Sequence, residues 1–263
     1  MLNTREKFYK DNILKFISDK DSPILICGAG PTDKSIFELC GFRNVTISNI
    51  NPDMSTYQWA PYKWACEDAE SLSYKDNSFD YVVIHEAIHH ASLPHLVVTE
   101  MYRVARRGVL AIEAKDSAVM RLLIKLDITQ DYEYAGVYHN NCQGGVNNTE
   151  IPNYIYRWTE SEIEKTIQSY APFAKHKFYY SYGTGFPFVL KFDKKVWLKY
   201  IVIKTAQPFF FLFTKIFRGQ QNLFAFYISK PQIPEDLYPW IQFDKKENKL
   251  SFNKEWGFTK YGR

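Results

Sequence analysis

The residues best suited to chemistry begin with two glycines, Gly28 and Gly30, directly after the short apolar run 23–27. Glycine lets the backbone turn tightly and approach a ligand, and a helix that starts beside it attracts a carboxylate or phosphate to its N-terminus. A polar side chain about 20 residues further on, here Asn49, is placed to hydrogen-bond a ribose. This spacing predicts a nucleotide-cofactor site at the edge of an open α/β sheet.

Two further groups follow the next predicted strand, at 63–66. The carboxylate of Asp68 can accept a hydrogen bond from an exocyclic adenine amine, and the backbone of Ala69 can meet a ring nitrogen. Asp33 stands where a dinucleotide fingerprint has its third glycine, which disfavours NAD and FAD because a carboxylate would face the pyrophosphate. The alternative interpretation is that Asn49 and Asp68 are ordinary loop residues.

A histidine-rich segment, HEAIHHAS, follows the predicted central strand at 79–85. Histidine is the side chain best suited to take a proton near neutral pH, so His90 first and His89 second are candidate general bases for a hydroxyl acceptor. The alternative is that both histidines only line a pocket or cap a helix. No third ligand at helical spacing accompanies them, so we predict no metal site.

The elements that must position these groups alternate between strands and helices. Apolar runs predict strands at 23–27, 45–48, 63–66, 79–85, 109–114, 175–182 and 223–229, and helical spacing predicts helices near 9–17, at 94–105 and at 159–169. Gly108 is the expected C-cap of the second of these helices, and a Thr159-x-x-Glu162 capping box starts the third. This alternation predicts a mostly parallel sheet with helices on both faces.

Composition narrows the class of protein further. The net charge of +4 comes without a long basic run, so no nucleic-acid partner is implied. The four cysteines show no C-x-x-C spacing and are interpreted as reduced thiols of a cytoplasmic protein. The charged N-terminal stretch has no apolar core segment, so no signal peptide is expected.

Residues 24–117 resemble class I S-adenosylmethionine-dependent methyltransferases of the small-molecule type. ILICGAGPT is similar to the glycine-rich first motif of that family, and VTISNINPDM to its second strand and following loop. EDAESLSYKDNSFDYVVIHEAIHH resembles its adenine-binding acidic loop and fourth strand, and EMYRVARRGVLAIEA its next helix, turn and fifth strand. NLFAFYISKP resembles the final antiparallel strand.

The resemblance implies a Rossmann-like, seven-stranded, mostly parallel sheet with helices on both faces, an antiparallel last strand and a helical insertion before it. It implies S-adenosylmethionine as the cofactor, bound by Gly28, Ala29, Gly30, Asn49, Ile50, Asp68, Ala69 and His85. Two positions depart from the family, which usually has acidic residues where this chain has Ile26 and Asn49. Asn49 keeps an acceptor for the ribose, and Asp33, His85 or a water molecule would replace the polar support that Ile26 lacks.

The segment 140–158 lies where this family commonly covers its substrate. Tyr154, Tyr156 and Arg157 are the candidate acceptor-binding residues, because they suit hydrogen bonding and stacking with a hydroxyl-rich molecule; the alternative is a structural loop. GGVNNTEIPNYIYRWTE resembles methyltransferases of surface-polysaccharide pathways, which implies a sugar or nucleotide-sugar acceptor. The alternatives are a lipid-linked or isoprenoid acceptor, or a non-catalytic cofactor binder or scaffold.

We expect one domain over residues 1–230, with a cofactor half at 1–117, a substrate-covering part and helical insertion at 118–218, a last strand at 222–230 and a tail or strap at 231–263. The apolar segment 196–217 contains three lysines and Pro208, so it is a poor transmembrane span. It is interpreted as a lid, a dimer contact or a peripheral membrane contact. Tyr57, Trp59, Tyr62 and Trp64 could stack on the cofactor, with half of them expected in the core. The oligomeric state stays open.

Overall fold

The computed structural model describes residues 2–185 and 197–262. Within them the strands are β1 (Ile24–Cys27), β2 (Val45–Asn49), β3 (Lys63–Cys66), β4 (Phe79–His85), β5 (Ala105–Ala114), β6 (Lys177–Gly183), β7 (Leu223–Ser229), β8 (Ile241–Asp244) and β9 (Lys249–Phe252). The helices are α1 (Thr4–Phe16), α2 (Pro31–Leu39), α3 (Pro94–Val104), α4 (Ala118–Lys125), α5 (Tyr134–His139), α6 (Glu160–Tyr170), α7 (Trp197–Ile216) and α8 (Lys254–Tyr261).

One sheet contains β1 to β7 in the order β3-β2-β1-β4-β5-β7-β6. Neighbouring strands from β3 to β5 are parallel, and β7 runs antiparallel to both β5 and β6. This arrangement confirms the predicted fold, including the antiparallel last strand and the helix inserted before it. The strand order reverses between β1 and β4, and in open α/β sheets such a reversal leaves a crevice at the carboxyl ends of the strands.

Side chains from both faces of the sheet enter separate hydrophobic cores. On β1, Leu25 packs on one face with α3 and α6, while Ile24 and Ile26 pack on the other with α1 and α2. These side chains are fully buried, as parallel strands covered on both faces require. The near-continuous apolar runs in the sequence reflect this two-sided burial.

Helix starts follow the capping signals in the sequence. Thr159 accepts a hydrogen bond from the Glu162 backbone, and the Glu162 side chain accepts one from the Thr159 backbone, which confirms the predicted capping box of α6. Asn3 and Glu6 form the same pair at α1. Such caps satisfy backbone donors that have no partner inside the helix.

The prediction that Gly108 caps a helix is wrong. α3 ends at Val104, and β5 begins at Ala105, so Gly108 lies inside the strand opposite Ser229. A Cβ at Gly108 would lie 2.3 Å from the Tyr227 hydroxyl oxygen, so the glycine leaves room for that ring. Tyr227 in turn stacks on Phe16 with ring centroids 4.6 Å apart, and this contact helps hold α1 against the sheet.

We expect Gly108→Ala to lower the free energy of unfolding by about 1–3 kcal/mol, because the added methyl must displace the packed Tyr227 ring. Urea denaturation measures this. Gly136→Ala is the matched control, since Gly136 lies in α5 and a Cβ there would meet no atom within 4 Å. That variant should lose no stability. Equal stability of Gly108→Ala and the parent protein would contradict this packing account.

The second half of the chain departs most from the sequence prediction. α7 runs through Pro208 as one helix and leaves Phe209, Leu212 and Ile216 exposed. Val196, the first residue of the apolar segment 196–217, lies outside the described residues. Among the described residues, no helix combines the length and apolarity needed to cross a bilayer.

The tail beyond residue 231 is not a bare strap. Its β8–β9 hairpin is followed by α8, and Tyr238 stacks on Trp240 with ring centroids 4.4 Å apart. The Lys175 backbone N–H donates to the Asp236 carbonyl at 2.8 Å, and the Tyr238 N–H donates to the Phe173 carbonyl at 3.1 Å. These bonds attach the start of the tail to the connection between α6 and β6.

Candidate functional site

A cleft of about 220 Å³ opens at the carboxyl ends of β1, β2, β3 and β4, where the strand order reverses. It is lined by Gly28, Asn49, Ile50, Glu67, Asp68, Ala69, Ile84, Glu86, Ala87, His90, Ala91, Gly144, Gly145, Asn147 and Asn148. Among the predicted cofactor residues, the structure brings Gly28, Asn49, Ile50, Asp68 and Ala69 together in this cleft. Ala29, Gly30 and His85 stand beside it, outside its lining.

The glycine loop is shaped by close backbone approach. Gly28 has φ +59°, a left-handed conformation, and a Cβ there would lie 2.6 Å from the Ala87 Cβ. A Cβ at Gly30 would meet no atom within 4 Å. The Asp33 carboxylate accepts a 2.8 Å hydrogen bond from the Gly30 N–H, which sets the start of α2. The loop therefore offers bare backbone to a ligand, as a nucleotide cofactor requires.

The side chains of Asn49 and Asp68 each form hydrogen bonds with the backbone of nearby loops. The Asn49 side chain donates to the Ala29 carbonyl at 3.0 Å and accepts from the Asn51 N–H at 2.9 Å. Asp68 accepts from the Glu70 N–H at 2.8 Å, which leaves its second oxygen for a ligand. Asn49 thus links the glycine loop to the end of β2, besides lining the cleft.

His85 ends β4 and packs, mostly but not fully buried, against α1 and α2. Its ring stacks on Tyr9 with centroids 4.0 Å apart, and its Nδ1 lies 3.6 Å from a carboxylate oxygen of Asp33. Burial lowers the pKa of His85, but the neighbouring Asp33 and Glu86 carboxylates raise it, and the net pKa is above its ordinary value. Ile26 is fully buried in the core on this same side of the sheet.

A buried carboxylate, Glu113 on β5, organises the turn after β4. One of its oxygens accepts the backbone N–H groups of Ala87 and Ile88 at 2.9 and 2.8 Å, and the other lies 2.7 Å from His89 Nδ1. Burial lowers the pKa of His89, yet Glu113 and then Glu133 raise it, and the net pKa is above its ordinary value. His89 is buried and is not among the residues that line the cleft, so it lies behind the cleft wall.

His90 is the predicted base that lines the cleft. Its Nδ1 lies 3.0 Å from the Gly144 carbonyl oxygen, and its Nε2 lies 3.3 Å from a Glu133 carboxylate oxygen. Burial first and the neighbouring His89 second lower the pKa of His90, which favours its neutral form. The basic roles that the sequence suggests for His90 and His89 stay predictions.

The predicted acceptor residues are not among those that line the cleft. Tyr156 donates to Glu162 at 2.9 Å, and Arg157 donates to the Gln130 carbonyl at 2.8 Å, so both side chains are used within the protein. Tyr154 packs against Tyr132 with ring centroids 5.4 Å apart. The preceding part of the same segment does reach the cleft, through Gly144, Gly145, Asn147 and Asn148.

The four aromatic residues after β2 also lie outside the cleft lining. Trp59 is buried and donates to the Met54 carbonyl at 2.7 Å, and Tyr62 donates to the Phe42 carbonyl at 2.9 Å. Trp64 packs against the core formed with α1 and α2, and Tyr57 is exposed. Three of the four aromatic side chains therefore pack in or against the core, where the sequence analysis expected two.

Several residues of the site carried no clear signal in the sequence. Glu86 lines the cleft with φ +49°, a conformation that is uncommon for non-glycine residues. Its neighbour Ala87 supplies the methyl group opposite Gly28. Glu113 lies inside a strand that reads as purely structural, and Glu133 lies far along the chain from the histidines. Only the strand-end position of Glu86 pointed to the site.

Residues 25–112 match the family model described as a methyltransferase domain. The ubiquinone/menaquinone biosynthesis C-methyltransferase UbiE of Zymomonas mobilis subsp. mobilis is 30% identical in an alignment over 111 residues that covers 39% of this chain and 46% of that protein. The match thus spans about half the length of this curated relative. The family-model match covers the part of the chain that contains the cofactor motifs.

Solved structures resemble nearly the whole chain. A protein of Pyrococcus horikoshii superposes with a TM-score of 0.52 at 14% identity, covering 87% of this chain and 90% of that one. A SAM-dependent methyltransferase from Archaeoglobus fulgidus superposes with a TM-score of 0.50 at 14% identity, covering 86% and 94%. At these identities the likeness establishes the fold.

Proposed function

We propose that this chain, whose residues 25–112 form a methyltransferase domain, is an enzyme that moves a methyl group to a small polar acceptor. The cofactor of the domain is S-adenosylmethionine, which supplies a methyl group on a positively charged sulfur. The observation that carries the proposal is the cleft itself, in which the Gly28 backbone, Asn49 and Asp68 meet at the strand ends where the sheet order reverses.

The residues present fit this cofactor. Gly28 is a cradle that a Cβ would fill, because that atom would meet the Ala87 methyl at 2.6 Å. Ile50 and Ala69 offer apolar surface for a flat base, and the free oxygen of Asp68 can accept from an amine. The Asn49 amide keeps a second N–H and a second lone pair beyond its bonds to Ala29 and Asn51, and these would bind the ribose hydroxyls. We assign the cofactor half to residues 1–117 on this basis.

The acceptor end of the cleft is assigned to the wall opposite the glycine loop. There His90 faces the loop with Gly144, Gly145, Asn147 and Asn148, and the side chain of Asn147 bonds to Ser92 at 2.7 Å, closing one edge. Amide side chains such as those of Asn147 and Asn148 suit hydrogen bonding with a hydroxyl-rich molecule. We therefore favour a sugar or nucleotide-sugar of surface glycan biosynthesis as the acceptor.

The chain contributes mainly alignment and exclusion of water. Methyl transfer from a sulfonium needs an in-line approach of the acceptor atom, and holding two reactants in that geometry can supply several kcal/mol. The turn at 86–90 is held by the buried Glu113, so the wall that faces the acceptor is fixed in place. A hydroxyl acceptor also has to lose a proton, which neutral His90 can accept at Nε2.

A second candidate acceptor is lipid-linked or isoprenoid. α7 presents large apolar side chains to solvent, with Phe209 73% exposed, and Lys204 and Lys215 lie on the same helix. Basic amphipathic helices of this kind bind membrane surfaces. The relative named for ubiquinone and menaquinone biosynthesis supports the same class of acceptor.

The experiment is transfer of radiolabel from S-adenosylmethionine into fractionated cell extract, combined with calorimetric binding of S-adenosylhomocysteine. We expect Asp68→Ala to weaken binding about 10-fold, because the adenine loses an acceptor and the Glu70 N–H loses its partner. Asp53→Ala, an exposed acid outside the cleft, is the matched control and should bind like the parent protein.

The partition of the labelled product separates the acceptor classes. Label in the aqueous phase supports the sugar proposal, and label that moves into organic solvent supports the lipid-linked one. Binding without transfer to any fraction would favour the non-catalytic alternative. Absence of binding to either form of the cofactor would refute the enzyme proposal altogether.

A further inference from the structure

Three potential metal ligands come together beside the cleft, behind the wall that His90 lines. His89 Nε2 lies 3.7 Å from a Glu133 carboxylate oxygen, and His90 Nε2 lies 3.3 Å from the same oxygen. One ligand atom from each of these residues lies within 4.8 Å of the others. The sequence did not indicate this group, because Glu133 comes from the loop before α5, far from the histidines along the chain.

The other nitrogen of each histidine fixes the tautomer. His89 Nδ1 lies 2.7 Å from Glu113, and His90 Nδ1 lies 3.0 Å from the Gly144 carbonyl. Carboxylate and carbonyl oxygens only accept, so both Nδ1 atoms carry hydrogen. If both rings are neutral, each Nε2 then has a lone pair and no hydrogen. Both Nε2 atoms face the same Glu133 carboxylate oxygen, which is also an acceptor, so no hydrogen bond joins the three atoms. A positive charge has to lie between them.

We propose that His89, His90 and Glu133 bind one divalent transition-metal ion of the zinc class. Zinc bonds of about 2.0–2.1 Å to nitrogen and oxygen place two ligand atoms of a tetrahedral site about 3.3 Å apart. The separations of 3.3 and 3.7 Å need only small side-chain shifts to match. Two imidazoles and one carboxylate form a ligand set that binds zinc in preference to magnesium.

The surroundings have the features of a supported metal site. Metal-bound histidines usually donate their second nitrogen to a carboxylate or a backbone carbonyl, as His89 does to Glu113 and His90 to Gly144. Glu113 is fully buried and also holds two backbone N–H groups, so its position is fixed. Glu133 is braced by Asn153, whose side-chain amide donates to it at 3.3 Å.

The fourth position of this site would face the cleft. His89 is buried, whereas His90 and Glu133 are about one-third exposed and His90 lines the cleft wall. An open position of this kind is typical of catalytic rather than structural zinc. Resting on the proposed function, we assign it to the acceptor hydroxyl, whose proton leaves to solvent water as the metal lowers its pKa. With the ion bound, His90 Nε2 would be a metal ligand, and the role of base proposed for it above would apply to the metal-free protein.

The test is calorimetric titration of the chelator-treated full chain with Zn²⁺, with Mg²⁺ as the comparison ion. We expect one Zn²⁺ site per chain and weaker binding by about 100-fold in Glu133→Gln and in His89→Ala. His139→Ala, which removes an exposed histidine from α5, is the matched control and should bind Zn²⁺ like the parent protein. Co²⁺ should show the strong visible absorption of a four-coordinate site, and this absorption should be lost in the same two variants.

Cofactor binding keeps the two proposals apart. Glu133 does not line the cleft, so Glu133→Gln should bind S-adenosylhomocysteine within twofold of the parent protein. Zn²⁺ binding that is absent, no tighter than Mg²⁺ binding, or unchanged in Glu133→Gln and His89→Ala would overturn the metal site and leave a proton between these groups instead. Loss of S-adenosylhomocysteine binding by the parent protein would overturn the proposed function without touching the metal site.

Discussion

Gly28→Ala is expected to weaken binding of S-adenosylhomocysteine about 100-fold. The substitution forces an L side chain into a left-handed backbone, at φ +59°, and places its methyl 2.6 Å from the Ala87 Cβ. Strain of this kind costs about 1–3 kcal/mol, and overpacking adds a similar amount. Relief requires either the glycine loop or the turn at Ala87 to move, and both form walls of the cleft. Isothermal titration calorimetry measures the affinity.

Gly41→Ala is the control for backbone strain alone. Gly41 also has a positive φ, +77°, but a Cβ there meets no atom within 4 Å and the residue lies outside the cleft lining. This variant should lose some stability and keep its affinity within twofold. If Gly28→Ala binds as tightly as Gly41→Ala does, the cofactor does not lie against the Gly28 backbone.

Glu113→Leu is expected to lower the free energy of unfolding by about 3–5 kcal/mol, the range found when one partner of a buried charged network is removed. The change removes the acceptor of the Ala87 and Ile88 backbone N–H groups and of His89 Nδ1. The bonds from Ile88 and His89 are buried, and the bond from Ala87 is partly buried. Unsatisfied buried donors each cost about 1–3 kcal/mol. Urea denaturation monitored by circular dichroism gives the value.

Glu113→Gln separates charge from hydrogen bonding. The amide keeps one oxygen for the two backbone N–H groups but turns a donor toward His89 Nδ1, so we expect a loss of about 1–2 kcal/mol. Equal losses in both variants would mean that the His89 contact carries the whole effect. A loss below about 1 kcal/mol in Glu113→Leu would contradict the role of Glu113 as the anchor of this turn.

The sequence predicts the sheet well because its strands are buried on both faces. β3, β4 and β7 have the predicted ends, since each is an apolar or aromatic run bounded by turn residues. The predicted end of α3 at residue 105 is within one residue of the observed end, but the start of β5 differs, at Ala105 rather than 109, because Gly108 looks like a helix cap along the chain. Its actual role, space for Tyr227, depends on a strand more than 100 residues away and is visible only in three dimensions.

The site residues also fall into a group that the sequence predicts and a group that only the structure reveals. Gly28, Asn49 and Asp68 were accessible to sequence reasoning, because parallel strands bring the residues that follow them to one edge. Tyr156 and Arg157 stay predictions as acceptor residues, since both lie outside the cleft lining and donate to Glu162 of α6 and to the Gln130 carbonyl. Glu113 and Glu133 could not be found, since spacing reveals neighbours within one element and their partners belong to others.

The contacts of α1 determine how far the N-terminus of this protein can be shortened without loss of the site. Arg5 pairs with Glu86 at 2.5 Å, and Tyr9 stacks on His85, so α1 braces the end of β4 from outside the matched segment 25–112. A fragment trimmed to the family boundaries would lose this brace and leave the buried Tyr9 site open to water. Useful N-terminal boundaries therefore lie ahead of the Asn3 cap, and bulky fusions are better placed elsewhere.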